Sequence, residues 1–328
     1  MPRVFASFRV FAIAAATLFP AFAGTDAVRA DDYPIKPVRL VVPYPPGGTT
    51  DLLARITGQY LSEHLGQQFV IDNRSGAGNN IGTEVAVNSP PDGYTLLLAN
   101  PANSINATLY KRLPFNFLRD IAPVVGIVRV PNVMEVNPNF AAKTVEEFIV
   151  YAKGHPGKVN MASAGNGTSI HLSGELFMAM TGVKMTHVPY RGAAPALTDL
   201  IAGTTDVMFD NLPSSIEFIR SGRLRALGVT TDQRSEALPE VPTVGATVKS
   251  YEASAWFGIG APKGTPADVI DKINRTVNAA LRDPKFKGLL ADLGGVPIGG
   301  TPVEFGKFMA DETEKWAKAV KFSGISIE

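Results

Sequence analysis

The 328-residue chain has no cysteine, only two tryptophans and four histidines, and a net charge of just +1. Without cysteine there are no disulfides and no thiolate metal sites, so packing alone must hold the fold. A lipid anchor attached through cysteine is excluded for the same reason. There is no internal repeat, no low-complexity tract and no cluster spaced like metal ligands. Long apolar runs are scarce as well. The one from Val10 to Phe19 is too short to span a bilayer comfortably, and no later run approaches the roughly 20 residues of a membrane helix.

That first run follows Arg3 and Arg9 and precedes small residues at Ala21 to Ala23 and Val28 to Ala30. Residues 1–30 therefore read as a secretory signal, cleaved near Ala23 or Ala30, which in a bacterium delivers the chain to the periplasm. Its removal takes away Arg3, Arg9, Arg29 and Asp26 and leaves 28 basic against 29 acidic residues. Such a balance offers nothing to a nucleic acid or an anionic membrane surface. Nearly 300 remaining residues suffice for two domains with their own cores.

The most informative stretch runs from Arg39 to Asp51. Leu40 to Val42 is a short buried-strand pattern, and Pro43, Pro45 and Pro46 end it because proline donates nothing to a ladder. Gly47 and Gly48 allow a tight turn with bare backbone. Thr49, Thr50 or Asp51 then caps a helix continuing through Leu52, Leu53, Ala54 and Ile56. A helix start behind a glycine turn presents free N–H groups and the positive end of a dipole, which suits an anion. No lysine follows the glycines, so this is not a Walker loop. A second stretch repeats the design: Lys158 to Ala162 as a strand, then Ser163 to Thr168, then a helix from Ile170 to Met180 capped by Thr168 or Ser169.

Between them, Asp72 to Gly82 carries the spacing G-x-G-x-x-x-G with no acidic residue after a second strand, which argues against a dinucleotide site. Tyr94 to Ala99 reads as a strand with a polar exit at Asn100 to Asn103. Ile121 to Val128 and Asn132 to Val136 read as two strands, with a first crossing into a second domain between them. Asp206 to Asn211 is a strand with Asp210 at its exit. Tyr251 to Gly260 returns the chain to the first domain, and the remainder is helical. The expected division is 31–131 with 251–328 as domain 1 and 132–250 as domain 2. Strands alternating with helices call for α/β architecture, with ligands beyond the carboxyl ends of the strands.

Val42-Pro-Tyr-Pro-Pro-Gly-Gly-Thr-Thr-Asp51, Asn73-Arg-Ser-Gly-Ala-Gly78, Pro90-Pro-Asp-Gly-Tyr-Thr95, Ser163-Ala-Gly-Asn-Gly-Thr-Ser-Ile-His-Leu172, His187-Val-Pro-Tyr-Arg-Gly192 and Phe209-Asp210 occur in this order. Together they resemble the Bug proteins, TctC-like extracytoplasmic solute receptors of tripartite tricarboxylate transporters. The resemblance implies a two-domain type II periplasmic-binding-protein fold, each domain a mixed, mostly parallel sheet flanked by helices, with the ligand cleft between them. It implies a small carboxylate ligand: a dicarboxylate, tricarboxylate, amino acid or aromatic acid. It also implies membrane permease subunits as partners. By position it assigns ligand contact to Gly47, Gly48, Thr49, Thr50, Ser163, Ala164, Gly165, Thr168 and Asp210; Tyr44 is expected to flank the ligand, and Asn103, in the segment Asn100 to Asn106 that departs from the family's pattern, to face its distal end. No cofactor and no metal are expected, and the chain is expected to be a monomer.

Two other readings compete with transport. A receptor with the same grip can pass its closed form to a membrane signalling partner, and the sequence does not separate the two. A hydrolase using Ser163 and His171 is weaker, because Met161 stands where a nucleophile elbow needs glycine and no third orienting group is evident.

Overall fold

Short apolar runs broken by glycine and proline, each followed by a capped amphipathic segment, produce an α/β fold. The structure is a computed structural model that describes residues 1–2 and 33–327. The expected leader and its cleavage positions at Ala23 and Ala30 fall outside the described residues. In chain order the first half contains β1 (Val38–Val42), α1 (Thr49–Leu65), β2 (Phe69–Asn73), α2 (Asn80–Val87), β3 (Thr95–Ala99), α3 (Pro101–Leu109), α4 (Phe117–Asp120) and β4 (Ile121–Val136). Then come α5 (Val145–Gly154), β5 (Val159–Ser163), α6 (Ser169–Thr181), β6 (Met185–Pro189), α7 (Ala193–Ala202), β7 (Val207–Asn211), α8 (Leu212–Arg220) and β8 (Arg225–Val229). The chain closes with β9 (Ser254–Pro262), α9 (Ala267–Ala280), α10 (Pro284–Asp292), β10 (Val296–Gly299) and α11 (Pro302–Ser323).

The strands form two mixed sheets that share β4. On one side β2, β1 and β3 run parallel, and β9 and then β4 add antiparallel. On the other side β6, β5 and β7 run parallel and β7 meets β4 antiparallel. The strand β10 pairs with the first part of β4 and β8 with the last.

The segment Arg129 to Pro131 does not interrupt the strand, as the sequence suggested, but belongs to a single 16-residue β4. Up to Pro131 its partner is β9; from Asn132 its partner is β7. Pro131 lacks an N–H and so tolerates the switch. Beside it Thr230 Oγ accepts from Asn132 N–H at 2.8 Å, and Ala253 N–H donates to the Thr230 carbonyl at 3.0 Å. The outgoing and returning chains are thereby tied together where the halves meet.

Two cores flank this junction. One gathers Leu40, Leu53, Leu96, Ile127, Phe257 and Ile273; the other gathers Met134, Phe148, Met161, Phe177, Phe209 and Tyr251. The last turns of α11 place Trp316 and Val320 in the second core, so this helix straddles both halves. Arg129 at the junction is ion-paired to Glu312 of α11 at 2.8 Å. Among the described residues no helix is long and apolar enough to cross a membrane.

Candidate functional site

Each parallel strand exits into a short loop and then a helix, so helix N-termini collect along one side of the sheets. Five of them reach a single cavity of about 30 Å³ between the halves. Its wall is made by Tyr44, Pro45, Gly48, Thr49 and Thr50 at the head of α1 and by Asn100 and Pro101 at the head of α3. The opposite half supplies Ala164, Thr168, Ser169 and Ile170 at the head of α6, Ala193 of α7 and Asn211 before α8, with Phe257 of β9 at the back. No ionisable acid or base other than the Tyr44 phenol lines it.

The first loop is braced from behind. Gly47 turns the chain at φ +94°, a conformation that favours glycine. Asp51 does not cap α1, as expected, but lies in its first turn and accepts from the Gly47 N–H at 3.1 Å and the Asn73 amide at 3.0 Å, with Arg55 held at 2.9 and 3.0 Å. Burial alone pushes the Asp51 carboxyl up; the bonds from Arg55, Asn73 and Gly47 outweigh it and hold it below its ordinary value. Gly48 takes the N-cap position with no side-chain cap. The first N–H groups of a helix have no acceptor within it, so those of Thr49 and Thr50 remain available.

On the facing loop Thr168 is the N-cap of α6. Its Oγ accepts from His171 N–H at 3.1 Å and donates to the Gly165 carbonyl at 2.8 Å. Ser169 and Ile170 lie in the first turn, where N–H groups have no intrahelical acceptor. Thr168→Val removes the cap and is expected to cost about 1 kcal/mol of stability, read as a lower urea midpoint at unchanged slope. The α7 head begins at Ala193 behind Gly192, whose own N–H donates to the Ala164 carbonyl at 3.1 Å. The α3 head differs. Asn100 and Asn103 cap it reciprocally at 3.1 and 3.0 Å and Pro101 has no N–H, so it offers wall rather than donors. Unspent donors thus come from α1 on one side and from α6 and α7 on the other.

The structure therefore brings Tyr44, Gly48, Thr49, Thr50, Ala164 and Thr168 of the expected residues to the cavity wall. The other five do not line it. The Gly47 N–H is spent on Asp51, and Gly165, at φ +121°, turns the loop. Asn103 is buried in the α3 cap and bonds Thr83 at 2.7 Å. Ser163 is fully buried and within 2.6 Å of His187 Nε2. Asp210 is fully buried beneath α8, where Ser214 and Ser215 reach its Oδ2 at 2.6 and 2.7 Å. Its neighbour Asn211 is the residue at the wall, with its amide donating to Asn132 and Ser169. Asn100 and Pro101 come from the segment expected to face the ligand's distal end, whereas Pro45, Ser169, Ile170, Ala193 and Phe257 were not anticipated. For Ala193 the Arg191-Gly192 turn before a helical run was a usable signal; for Phe257 there was none.

Ser163 pairs with His187 and not with His171. The two imidazoles stack at 3.9 Å, and His171 Nε2 lies 3.3 Å from Glu175. Burial, and then His171, push His187 down to about 3, so it stays neutral and shares one hydrogen with the Ser163 hydroxyl. The unfolded chain binds a proton near pH 6.5 that the folded one refuses, so stability present above that pH is lost as pH falls toward about 3. In His187→Gln the fall in melting temperature between about pH 7 and pH 5 is expected to shrink by a few degrees.

The cleft is closed in this structure. Thr49 Oγ lies 2.9 Å from Ser214 Oγ across it, and a Cβ at Gly192 would sit 2.7 Å from Pro45. Fold and site together define a two-domain solute-binding protein of the periplasmic-binding class. The model of the TctC family, the tripartite tricarboxylate transporter family receptors, matches residues 53–325, and the chain belongs to that family. BugT of Bordetella pertussis is 38% identical over 315 residues, 95% of this chain and 97% of that protein. Rpa4515 of R. palustris, solved with adipate, superimposes with a TM-score of 0.88 at 40% identity, covering 90% of this chain and 99% of that one. MatC (Rpa3494) from Rhodopseudomonas palustris, solved with bound malate, gives 0.84 at 29% identity, covering 88% and 100%. The family and these neighbours are binding proteins and not enzymes.

Proposed function

We propose that this receptor captures a small carboxylate in the cavity between its halves and delivers it to the membrane subunits of a tripartite tricarboxylate-type transporter. The observation that carries this reading is the convergence of unspent helix-head N–H groups from both halves on a wall with no Lys or Arg. Fixed N–H groups at helix N-termini form charge-assisted bonds to a carboxylate, and the dipoles add to them. In the closed state the cavity holds about 30 Å³, room for about two water molecules, so a carboxylate of a few carbons enters with the lobes parted. Adipate and malate in the two neighbours are of that kind. The ligand-contacting groups are taken as Tyr44, Gly48, Thr49, Thr50, Ala164, Thr168, Ser169, Ala193 and Asn211. Residues up to Pro131 with those from about 251 form one lobe and 132–250 the other, and β4 carries the hinge. In this reading the receptor works in the periplasm behind a secretory leader, as a monomer without a cofactor.

Thermal unfolding against a panel of mono-, di-, tri- and aromatic carboxylates tests this, with the matching amides, esters and neutral sugars as controls. A ligand at 100 times its Kd adds about 2.7 kcal/mol, which moves the midpoint by a few degrees at this chain length. A shift with one class of acid and none with its ester or amide is the expected result. Equal shifts with acid and ester contradict the anion grip.

A further inference from the structure

Beneath α8 lies a buried acidic pair that the anion site does not account for. Glu135 of β4 and Asp210 of β7 are both fully buried. Val133 pairs with Asp210, and Glu135 stands two residues further along β4, so both side chains leave the same face of the sheet. Ser215 Oγ is 2.7 Å from Glu135 Oε1 and also 2.7 Å from Asp210 Oδ2. One hydroxyl has one hydrogen and cannot donate to two carboxylates at once. The second contact needs a proton on a carboxyl. Burial, and then the charge of Asp210, push Glu135 well above the ordinary carboxylate range. Burial pushes Asp210 up as well, Ser214, Ser215 and the Asn211 N–H pull it part of the way back, and it ends at about 6. The proton therefore sits on Glu135, and Asp210 is the anion.

The hydrogens then order themselves along one path. Glu135 donates to Ser215, and Ser215 and Ser214 donate to Asp210 at 2.7 and 2.6 Å. The Asn211 carbonyl is also 2.9 Å from Ser214 Oγ and 3.5 Å from Thr49 Oγ, but the shorter contact to the charged Asp210 takes the Ser214 hydrogen, and Ser214 accepts from Thr49 Oγ at 2.9 Å, across the cleft at the head of α1. Ionisable groups on the elements packed around the pair have partners of their own. On α6 these are His171 with Glu175, on α8 Arg220 with Glu217, on α1 Asp51 with Arg55 and on α7 Asp199 with Tyr190. Arg225 of β8 donates to the Phe140 and Ala142 carbonyls, and Arg129 and Lys315 are held by Glu312 and Glu252 beside α11. Among the described residues no cation is paired with either carboxyl.

Resting on the carboxylate reading, we propose that Glu135 carries a proton at neutral pH and is a positioning residue of the solute site, setting through Ser215, Asp210 and Ser214 the cross-cleft bond to Thr49 that holds the closed state. Opening the cleft breaks the Thr49 bond and admits water to Ser214 and Asp210, which eases ionisation of Glu135. Closure on a solute then takes up a proton at alkaline pH.

Calorimetric titration with adipate in wild type, Glu135→Gln and Glu135→Leu between about pH 6 and pH 9 tests this, because adipate is already ionised across that range. Wild-type affinity is expected to fall about tenfold for each unit of pH above the titration of the open state. Glu135→Gln keeps a donor to Ser215 and is expected to bind with a flat profile, whereas Glu135→Leu binds weakly throughout. The same slope in wild type and Glu135→Gln overturns the proposal. Infrared spectra without any solute provide the second arm. A protonated-carboxyl C=O band at about pH 7, lost in Glu135→Gln, supports the proposal, and its absence from wild type overturns it. Failure of adipate to bind bears on the carboxylate reading alone and leaves the infrared result decisive for the proton.

Discussion

Gly48→Val is expected to leave a folded protein that has lost its ligand. Gly48 has φ −97° and ψ 175°, extended backbone that any residue adopts, so valine introduces no strain there. Its Cβ would lie 3.4 Å from the Ala193 Cβ and 3.9 Å from the Ala193 nitrogen. The two γ-carbons must then enter the gap between the heads of α1 and α7. With the cleft open they meet solvent, so the unliganded melting temperature should move by only a few degrees. With the cleft closed they overpack the contact and cover the Ala193 N–H, and overpacking costs about 1–3 kcal/mol. A loss of affinity of about 100-fold, equivalent to about 2.7 kcal/mol, is the expected calorimetric result. Retained affinity would mean that the two heads do not close on the ligand together.

Trp256→Ala is expected to do the reverse. Trp256 is fully buried and meets Phe305 and Phe308 edge-on at 5.9 and 5.5 Å. Truncating a buried tryptophan costs about 3–5 kcal/mol through lost burial and the cavity left behind. At this size that is a fall of roughly ten degrees in the melting midpoint. Solute affinity should hold at temperatures where the variant is folded, because the next residue, Phe257, faces the other side of the sheet and lines the cavity. A loss of affinity with unchanged stability would place Trp256 in the site instead.

These two variants also mark what could be read before any coordinates. The glycine turn at Gly47 and Gly48 and the Thr168 cap are local chemistry, with proline stops, unstrained caps and helical periodicity all within a dozen residues. Strand-to-helix units of that kind gave the α/β class and the two facing loops, on which the resemblance placed residues of the cavity wall. What was misjudged depended on partners far away in the chain. Pro131 looked like a strand break because the change of partner from β9 to β7 is invisible locally. Asn100 to Asn103 looked like a polar exit, although an asparagine cap followed by proline is a regular helix start and begins α3. Asp210 was assigned through the resemblance at Phe209-Asp210, yet a one-residue step along a strand reverses the face and puts Asn211 at the wall. Glu135, inside an apolar strand, gains meaning only beside Asp210, 75 residues later.

The central claim is that backbone N–H groups at the heads of α1, α6 and α7 hold the ligand carboxylate, and amide NMR during a carboxylate titration tests it most directly. The amides of Thr49, Thr50, Ser169, Ile170 and Ala193 are expected to move downfield together and to exchange more slowly with solvent, saturating at one Kd. A ligand that raises the melting temperature while those five amides stay in place would contradict the account.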